Sequence, residues 1–204
     1  MIDLNMRKRD NFVIMFHGTI IERNGLDLAL ESISLVKQRI PNLTFQVYGS
    51  GDFLDYCIEL TAKMGLEEIV NYHGHVPLEN IALAIQCADV GLISSKPSIS
   101  WDYALPTRIF EYLSLEKPVI APRTKGILDY FDEESLYFFE SGNAESMSQV
   151  IFDLYSNIEQ VYAVLNRGIE VYNQYRWQLQ RLHFINLVTT FIDSHATQLV
   201  KRHN

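Results

Sequence analysis

The chain has 204 residues, 48% hydrophobic and 21% charged, which is enough apolar material for one well-buried core or for a core with a helical extension. A formal net charge of −8 and a pI near 5.2 exclude a surface built for nucleic acid or for broad adhesion to anionic lipid, so any phosphate site has to be local. Cys57 and Cys87 have neither metal-ligand nor redox spacing and read as two partly buried thiols in a reducing compartment.

The opening MIDLNMRKRDNFVIMFHGT puts a basic stretch before apolar residues, but Phe12 to Phe16 is shorter than the apolar core of a signal peptide and reads as a first strand. From Asn11 to about Phe139, β-branched or aromatic runs alternate with helix-period stretches, the pattern of a parallel sheet covered by helices. Strands are expected at Phe12–His17, Leu43–Tyr48, Val70–His73, Val90–Ser94, Pro118–Ala121 and Leu136–Phe139. Helices are expected between them at about Gly25–Arg39, Phe53–Met64, Leu78–Cys87, Thr107–Leu115 and Ile127–Phe131. Pro77 and Pro106 each stand where a first helical turn would begin, the place where a missing N–H costs least.

After Gly142 the pattern is purely helical, roughly Ala144–Tyr155, Ile158–Tyr172 and Trp177–His195. No run reaches the roughly 20 apolar residues that cross a bilayer. The most apolar late stretch, Phe184 to Ile192, is interrupted by Asn186, Thr189 and Thr190. The expected location is cytoplasmic, with any attachment to the inner face of the membrane peripheral and through a partner. The fold class is α/β: a Rossmann-like parallel sheet of about six strands, helices on both faces, and a helical C-terminal extension. With no repeat and no linker rich in Pro, Gly or Ser, 1–204 reads as one domain, with a core of about 11–142 and an extension of about 143–204.

In open parallel sheets ligands bind beyond the carboxyl ends of the strands, and three segments place suggestive residues there. In HGTIIERNGLD, Gly18 ends the first strand without a side chain, Asn24 suits an N-cap, and Arg23 stands at the positive end of a helix. A bound phosphate would resolve that conflict, or Arg23 is a solvated loop residue screened by Glu22. In GSGD, Gly49 and Gly51 allow close backbone approach and Asp52 suits an N-cap; a bare tight turn explains the same residues. In SWDYALPTRIFEYLSLEKPVIA, Pro106 opens a helix whose free N–H groups attract anions, with Arg108 in its first turn. Glu111, three residues on and on the same face, can accept two hydroxyl hydrogen bonds as a ribose diol requires. The alternative is an exposed structural Arg–Glu pair. His73 and His75 lack a carboxylate or cysteine at metal spacing, and the Tyr172, Tyr175 and Trp177 group reads as packing or a helix entry.

The third segment resembles the donor-site signature of the group 1 glycosyltransferases, family four of the retaining GT-B enzymes. The likeness covers nearly the whole chain: HGTIIERNGLDLAL is similar to that family's first strand, turn and helix, FQVYGSGDF to its second strand, and NYHGHVPLENIALAIQCADVGLISS to its middle strand-helix-strand run. ALPTRIFEYLSLEKPVIA resembles the subgroup form with Leu-Pro-Asn-Lys before Phe-Glu-Tyr. The resemblance implies that Glu111 binds the ribose hydroxyls and that Gly18, Thr19 and Arg23 surround the diphosphate. Arg108 takes the place of the subgroup's lysine, the amides around Leu105, Pro106 and Thr107 face the donor, and Val76 lies near the base. Where the family places a sugar-binding glutamate, this chain has Tyr103 with Asp102 beside it; Thr19 and Asn24 stand where a basic pair is common.

What the resemblance implies for function is transfer of a hexose from a UDP- or GDP-sugar to a glycan or lipid-linked acceptor with retention, in polysaccharide or glycoconjugate synthesis. Arg23 and Arg108 would stabilise the leaving diphosphate. No Asp-x-Asp motif occurs, and neither a cofactor nor an essential metal is expected. The chain resembles the C-terminal, donor-binding half, so the acceptor half is expected on a missing N-terminal segment or a partner subunit. Two other readings are a non-catalytic donor-binding subunit, with an apolar patch on the sheet's carboxyl edge or terminal helix, and a sugar-nucleotide epimerase fragment.

Overall fold

The computed structural model describes residues 11–202, and the basic stretch before Phe12 lies outside them. Six strands, β1 (Phe12–His17), β2 (Leu43–Tyr48), β3 (Val70–Tyr72), β4 (Val90–Leu92), β5 (Val119–Pro122) and β6 (Tyr137–Phe139), form one sheet in the order β3-β2-β1-β4-β5-β6. Every pairing is parallel. Ile14, Met15 and Phe16 are completely buried, as a central strand covered on both faces requires. Their side chains alternate: Ile14 and Phe16 join the core beneath α1 (Leu26–Val36) and α7 (Ala144–Ser156), and Met15 joins the opposite core with α5 (Arg108–Ser114) and α8 (Ile158–Gln174). The remaining helices are α2 (Leu54–Lys63), α3 (Leu78–Cys87), α4 (Ile99–Asp102), α6 (Lys125–Leu128) and α9 (Trp177–Arg202).

The register of β1 on β2 runs from Phe12 opposite Leu43 to His17 opposite Tyr48, so both strands end side by side at the carboxyl edge. The chain order reverses between β1 and β4, which opens the crevice where doubly wound sheets hold ligands.

Helix starts differ from the sequence pattern in instructive ways. Asn24 does not cap α1; a 3-10 turn spans Glu22–Asn24, the Asn24 amide donates to the Thr19 carbonyl at 2.6 Å, and Gly25, at φ 67°, precedes the helix. A side chain at Gly25 would collide with the Ser94 carbonyl, so the turn is set by packing against the end of β4. Asp52 caps nothing, since Phe53 is the N-cap of α2. Pro77 is itself the N-cap of α3, and Pro106 lies two residues ahead of α5. The α4 turn, capped by Ser98, is too short to leave a periodicity, and α6 begins two residues earlier than its apolar pattern. Cys57 is fully buried, with its thiol pushed up to about 12, whereas Cys87 is exposed rather than partly buried.

α7 and α8 place Met147, Ile151, Leu154, Val161, Leu165 and Val171 in the two cores. α9 does not follow them: every described side chain from Arg176 to Ile192 is exposed. Among the described residues no helix is long and apolar enough to cross a membrane.

Candidate functional site

A cleft of about 430 Å³ lies at the carboxyl edge, lined by residues following three strands: His17, Gly18 and Thr19 after β1, Tyr48, Gly49 and Ser50 after β2, and His75, Val76, Pro77, Leu78 and Ile81 after β3. Its floor is backbone packed on backbone. Gly49, at φ 136°, donates its N–H to Gly74 at 2.7 Å, and a Cβ there would overlap the Gly18 carbonyl. Gly51 is pressed in the same way against the Ile20 carbonyl, while the Ile20 N–H donates to Ser50 at 2.9 Å. One wall carries the Tyr48 ring stacked on His73, centroids 4.2 Å apart, with His73 Nε2 at 2.6 Å from Gln46 Oε1.

α5 packs on the Met15 side of the sheet next to the end of β1, and Tyr112 fixes it there. The tyrosine ring lies where a Cβ of Gly91 would be, and its hydroxyl donates to the Met15 carbonyl at 2.9 Å. That anchor turns Arg108 and Glu111 toward the end of β1. Arg108 Nη1 donates to the His17 carbonyl oxygen, and the guanidinium lies 5.1 Å from the centre of the Phe16 ring and against Gly18. Burial lowers the arginine's pKa from its ordinary value. Glu111 Oε2 stands 3.6 Å from His17 Nε2. Burial raises the Glu111 carboxyl above its ordinary range, against the pull of Arg108. His17 is driven down to about 4, first by burial and then by Arg108, so it is neutral at neutral pH.

Four of the residues singled out in the sequence therefore line the cleft, namely Gly18, Thr19, Gly49 and Val76, and Arg108 and Glu111 adjoin it through Gly18 and His17. The others lie outside its walls. Arg23 is exposed on the 3-10 turn, one residue removed from the N-cap of α1, and its carbonyl accepts from Lys96 N–H at 3.0 Å. The cation beside the start of α1 is instead Lys96, 2.6 Å from Asp27 and 3.5 Å from Glu22. Arg108 does not stand unmet at a helix start either, because its side chain reaches back to a carbonyl. Asp102 and Tyr103 are exposed where α4 ends, and the Tyr103–Ala104 backbone rests on Gly126. Pro106 is buried, Leu105 packs on a core cluster, and Thr107 is exposed with its carbonyl accepting from Phe110 and Glu111.

Sequence reasoning missed His17, Tyr48, Ser50, His75, Pro77, Leu78 and Ile81. For His17 and Tyr48 a signal existed, since each is a polar-tipped ring ending an apolar strand at the edge where ligands bind. Tyr172 and Tyr175 pack on Phe110, and Trp177, 68% exposed, is the entry residue of α9, so the group divides between packing and a helix entry. Among the described residues no group of three or more His, Cys, Asp or Glu could hold a metal ion.

The reversing parallel sheet and the crevice at its switch point define the class: a Rossmann-like, doubly wound α/β architecture. The family model for the group 1 glycosyl transferases matches residues 11–157, and the chain belongs to that family. Among curated relatives, the amylovoran biosynthesis glycosyltransferase AmsK of Erwinia amylovora is 24% identical over 143 residues, 69% of this chain and 35% of that protein. The chain thus spans about a third of that relative's length. Among solved structures, Anabaena HepE in complex with UDP-glucose superposes with a TM-score of 0.76 at 14% identity, over 88% of this chain and 49% of that one. The catalytic domain of cholesterol-alpha-glucosyltransferase from Helicobacter pylori gives 0.68 at 15% identity, over 81% of this chain and 99% of that one. At such identities the structural likeness establishes the fold alone, a Rossmann-like α/β unit that matches about half of a GT-B glycosyltransferase.

Proposed function

We propose that this chain is the donor-binding domain of a retaining glycosyltransferase that takes a hexose from a UDP-sugar, with a GDP-sugar as the alternative donor, and passes it to a glycan or lipid-linked acceptor in polysaccharide or glycoconjugate synthesis. The observation that carries this reading is the convergence of Arg108 and Glu111 on the carboxyl end of β1, beside a cleft floored by Gly18 and Gly49. In it, Glu111 accepts the ribose hydroxyls and the base lies along Tyr48, His75 and Val76. The diphosphate sits at Gly18 and Thr19 within reach of Arg108, with Arg23 as a second cation. The sugar lies toward Asp102 and Tyr103, and the amides of residues 105–107 face it. Uracil is preferred because UDP or UDP-glucose accompanies HepE in its solved complexes.

Charge that develops on the leaving diphosphate is stabilised best by donors already desolvated and fixed, and Arg108 meets that condition. The reaction is proposed to need no essential metal, the charge on the diphosphate being met by Arg108 and Arg23.

The acceptor site is proposed to belong to another half of the enzyme or to a partner subunit. Along α9, Trp177, Phe184, Val188 and Phe191 recur at helical spacing on one face and are 68%, 60%, 40% and 64% exposed. An apolar stripe of this kind supports a reading in which the chain binds donor and turns it over only when paired.

A thermal-shift titration with UDP, GDP, ADP and their sugar conjugates tests the assignment, with Glu111→Ala alongside. Ligand at a hundred times its dissociation constant adds about 2.7 kcal/mol, or about 5–10 °C for a domain of this size. The expected result is a shift largest with UDP and absent in the variant. A shift equal for all three bases, or retained in the variant, contradicts the proposal.

A further inference from the structure

His17 ends β1 and is 6% exposed, yet its Nε2 has no hydrogen-bond partner. Leaving such an atom buried and unpaired forfeits its hydrogen bonds to water without replacing them. An apolar ring would occupy the same place without that cost, since the imidazole packs edge-on to Tyr112 with centroids 5.0 Å apart. The nitrogen faces the Glu111 carboxylate, whose Oε2 is 3.6 Å away, just beyond hydrogen-bond reach. Because the imidazole is neutral at neutral pH, the two form a donor and acceptor rather than an ion pair.

We propose that His17 is a positioning residue for the donor nucleotide: carrying its proton on Nε2, it donates to Glu111 Oε2 in the loaded site and fixes the rotamer in which that carboxylate accepts the ribose hydroxyls. The inference rests on the donor-site reading above. An ionised carboxylate offers about four lone-pair positions, so one N–H leaves enough for a diol. The Glu111 side chain is 42% exposed, and a partner that holds one rotamer reduces the entropy lost when the nucleotide binds. Arg108 is not placed for this task, because its Nη1 is engaged by the His17 carbonyl.

The test compares affinities for UDP and 2′-deoxy-UDP, measured by calorimetry on the full chain, in the wild type, His17→Leu, His17→Gln and Glu111→Ala, each checked for folding by circular dichroism. A hydroxyl bound to a charged acceptor corresponds to about a tenfold preference or more for UDP in the wild type. In His17→Leu the preference is expected to fall within about threefold, while His17→Gln, whose amide N–H reaches the same carboxylate, keeps it. A residue that only packs would weaken both ligands equally and leave the ratio unchanged. An unchanged ratio in His17→Leu, alongside a lost one in Glu111→Ala, overturns the role of His17 alone. If Glu111→Ala also keeps the ratio, or UDP does not bind, the donor-site reading falls with it. Should His17→Leu fail to fold, His17→Asn, too short to reach Glu111, is expected to lose the preference, and its keeping it counts against the proposal.

Discussion

Arg108 donates its guanidinium N–H to the carbonyl oxygen of His17, so α5, the helix that leads into β5, is latched to the last residue of β1. The latch spans the point where the sheet reverses its order, and it lays a cation against Gly18, whose lack of a side chain leaves room for it. Removing it should be felt twice. Arg108→Met is expected to lower stability by about 1.5–3 kcal/mol, the range for a hydrogen bond from a charged donor, and to weaken UDP far more than uridine. Urea unfolding and calorimetry check the two effects separately. Arg108→Lys keeps the charge but not the planar fork, so it should recover only part of the affinity.

Tyr112 and Gly91 set the same helix from beneath. Gly91→Ala would drive a methyl group into the tyrosine ring, and overpacking of this kind costs about 1–3 kcal/mol. Because Gly91 is fully buried in β4 and lines no part of the cleft, any loss of nucleotide affinity in this variant must come through movement of α5. Denaturant melts are expected to show the destabilisation, with a fall in UDP affinity. Unchanged affinity in a folded variant would mean that the position of α5 does not matter to the site.

His17 makes stability depend on pH. An unfolded histidine titrates near 6.5, whereas in the fold burial and Arg108 bring it to about 4, so between these values the folded chain binds fewer protons than the unfolded one. Stability from this residue is therefore complete above pH 6.5 and drains away as pH falls toward 4, by about 3 kcal/mol in all. His17→Gln removes the titration. Urea unfolding at pH 7 and pH 4 should show the wild type losing about that much more than the variant.

Glu111 supplies a pH signature of binding rather than of folding. Its pKa is raised by burial, so the carboxylate that accepts hydroxyls is lost at a higher pH than an ordinary glutamate would lose it. Nucleotide affinity should decline on acidification beginning above the usual carboxylate range, and Glu111→Gln should flatten the profile while lowering the affinity at neutral pH.

How much of this was legible in the sequence depends on the length of the signal. β1 and β2 fall where their apolar runs place them, and α3 runs over Leu78–Cys87 as its pattern indicates. Arg108 and Glu111 stand out in the sequence because a cation in a first helical turn runs against the dipole preference, and the fold sets both against the end of β1, beside the cleft. The turn after β1 was misjudged: Asn24 has the chemistry of a cap but is consumed in a bond to Thr19, and the choice was made by tertiary packing of Gly25 on β4. Lys96 gave no local sign, since its carboxylate partners lie about seventy residues earlier in the chain. For His17 the local sign was a polar-tipped ring ending an apolar strand, but its neighbour Glu111 lies more than ninety residues further along the chain.

α9 contributes none of its described side chains to either core, so a chain ending at Arg176 should keep its stability. The expected outcome is an unchanged urea midpoint together with less self-association in sedimentation, because the apolar stripe is gone. A lowered midpoint would show that α9 folds against the domain.

The central claim is that Glu111 holds a nucleotide in the cleft beside His17 and Gly18. Isothermal titration of UDP into the full chain and into Glu111→Ala at neutral pH tests it most directly. One site per chain is predicted, with affinity reduced about tenfold or more in the variant, as expected for lost hydrogen bonds to a charged acceptor. Equal affinity in a correctly folded Glu111→Ala, or no heat of binding in either protein, would contradict it.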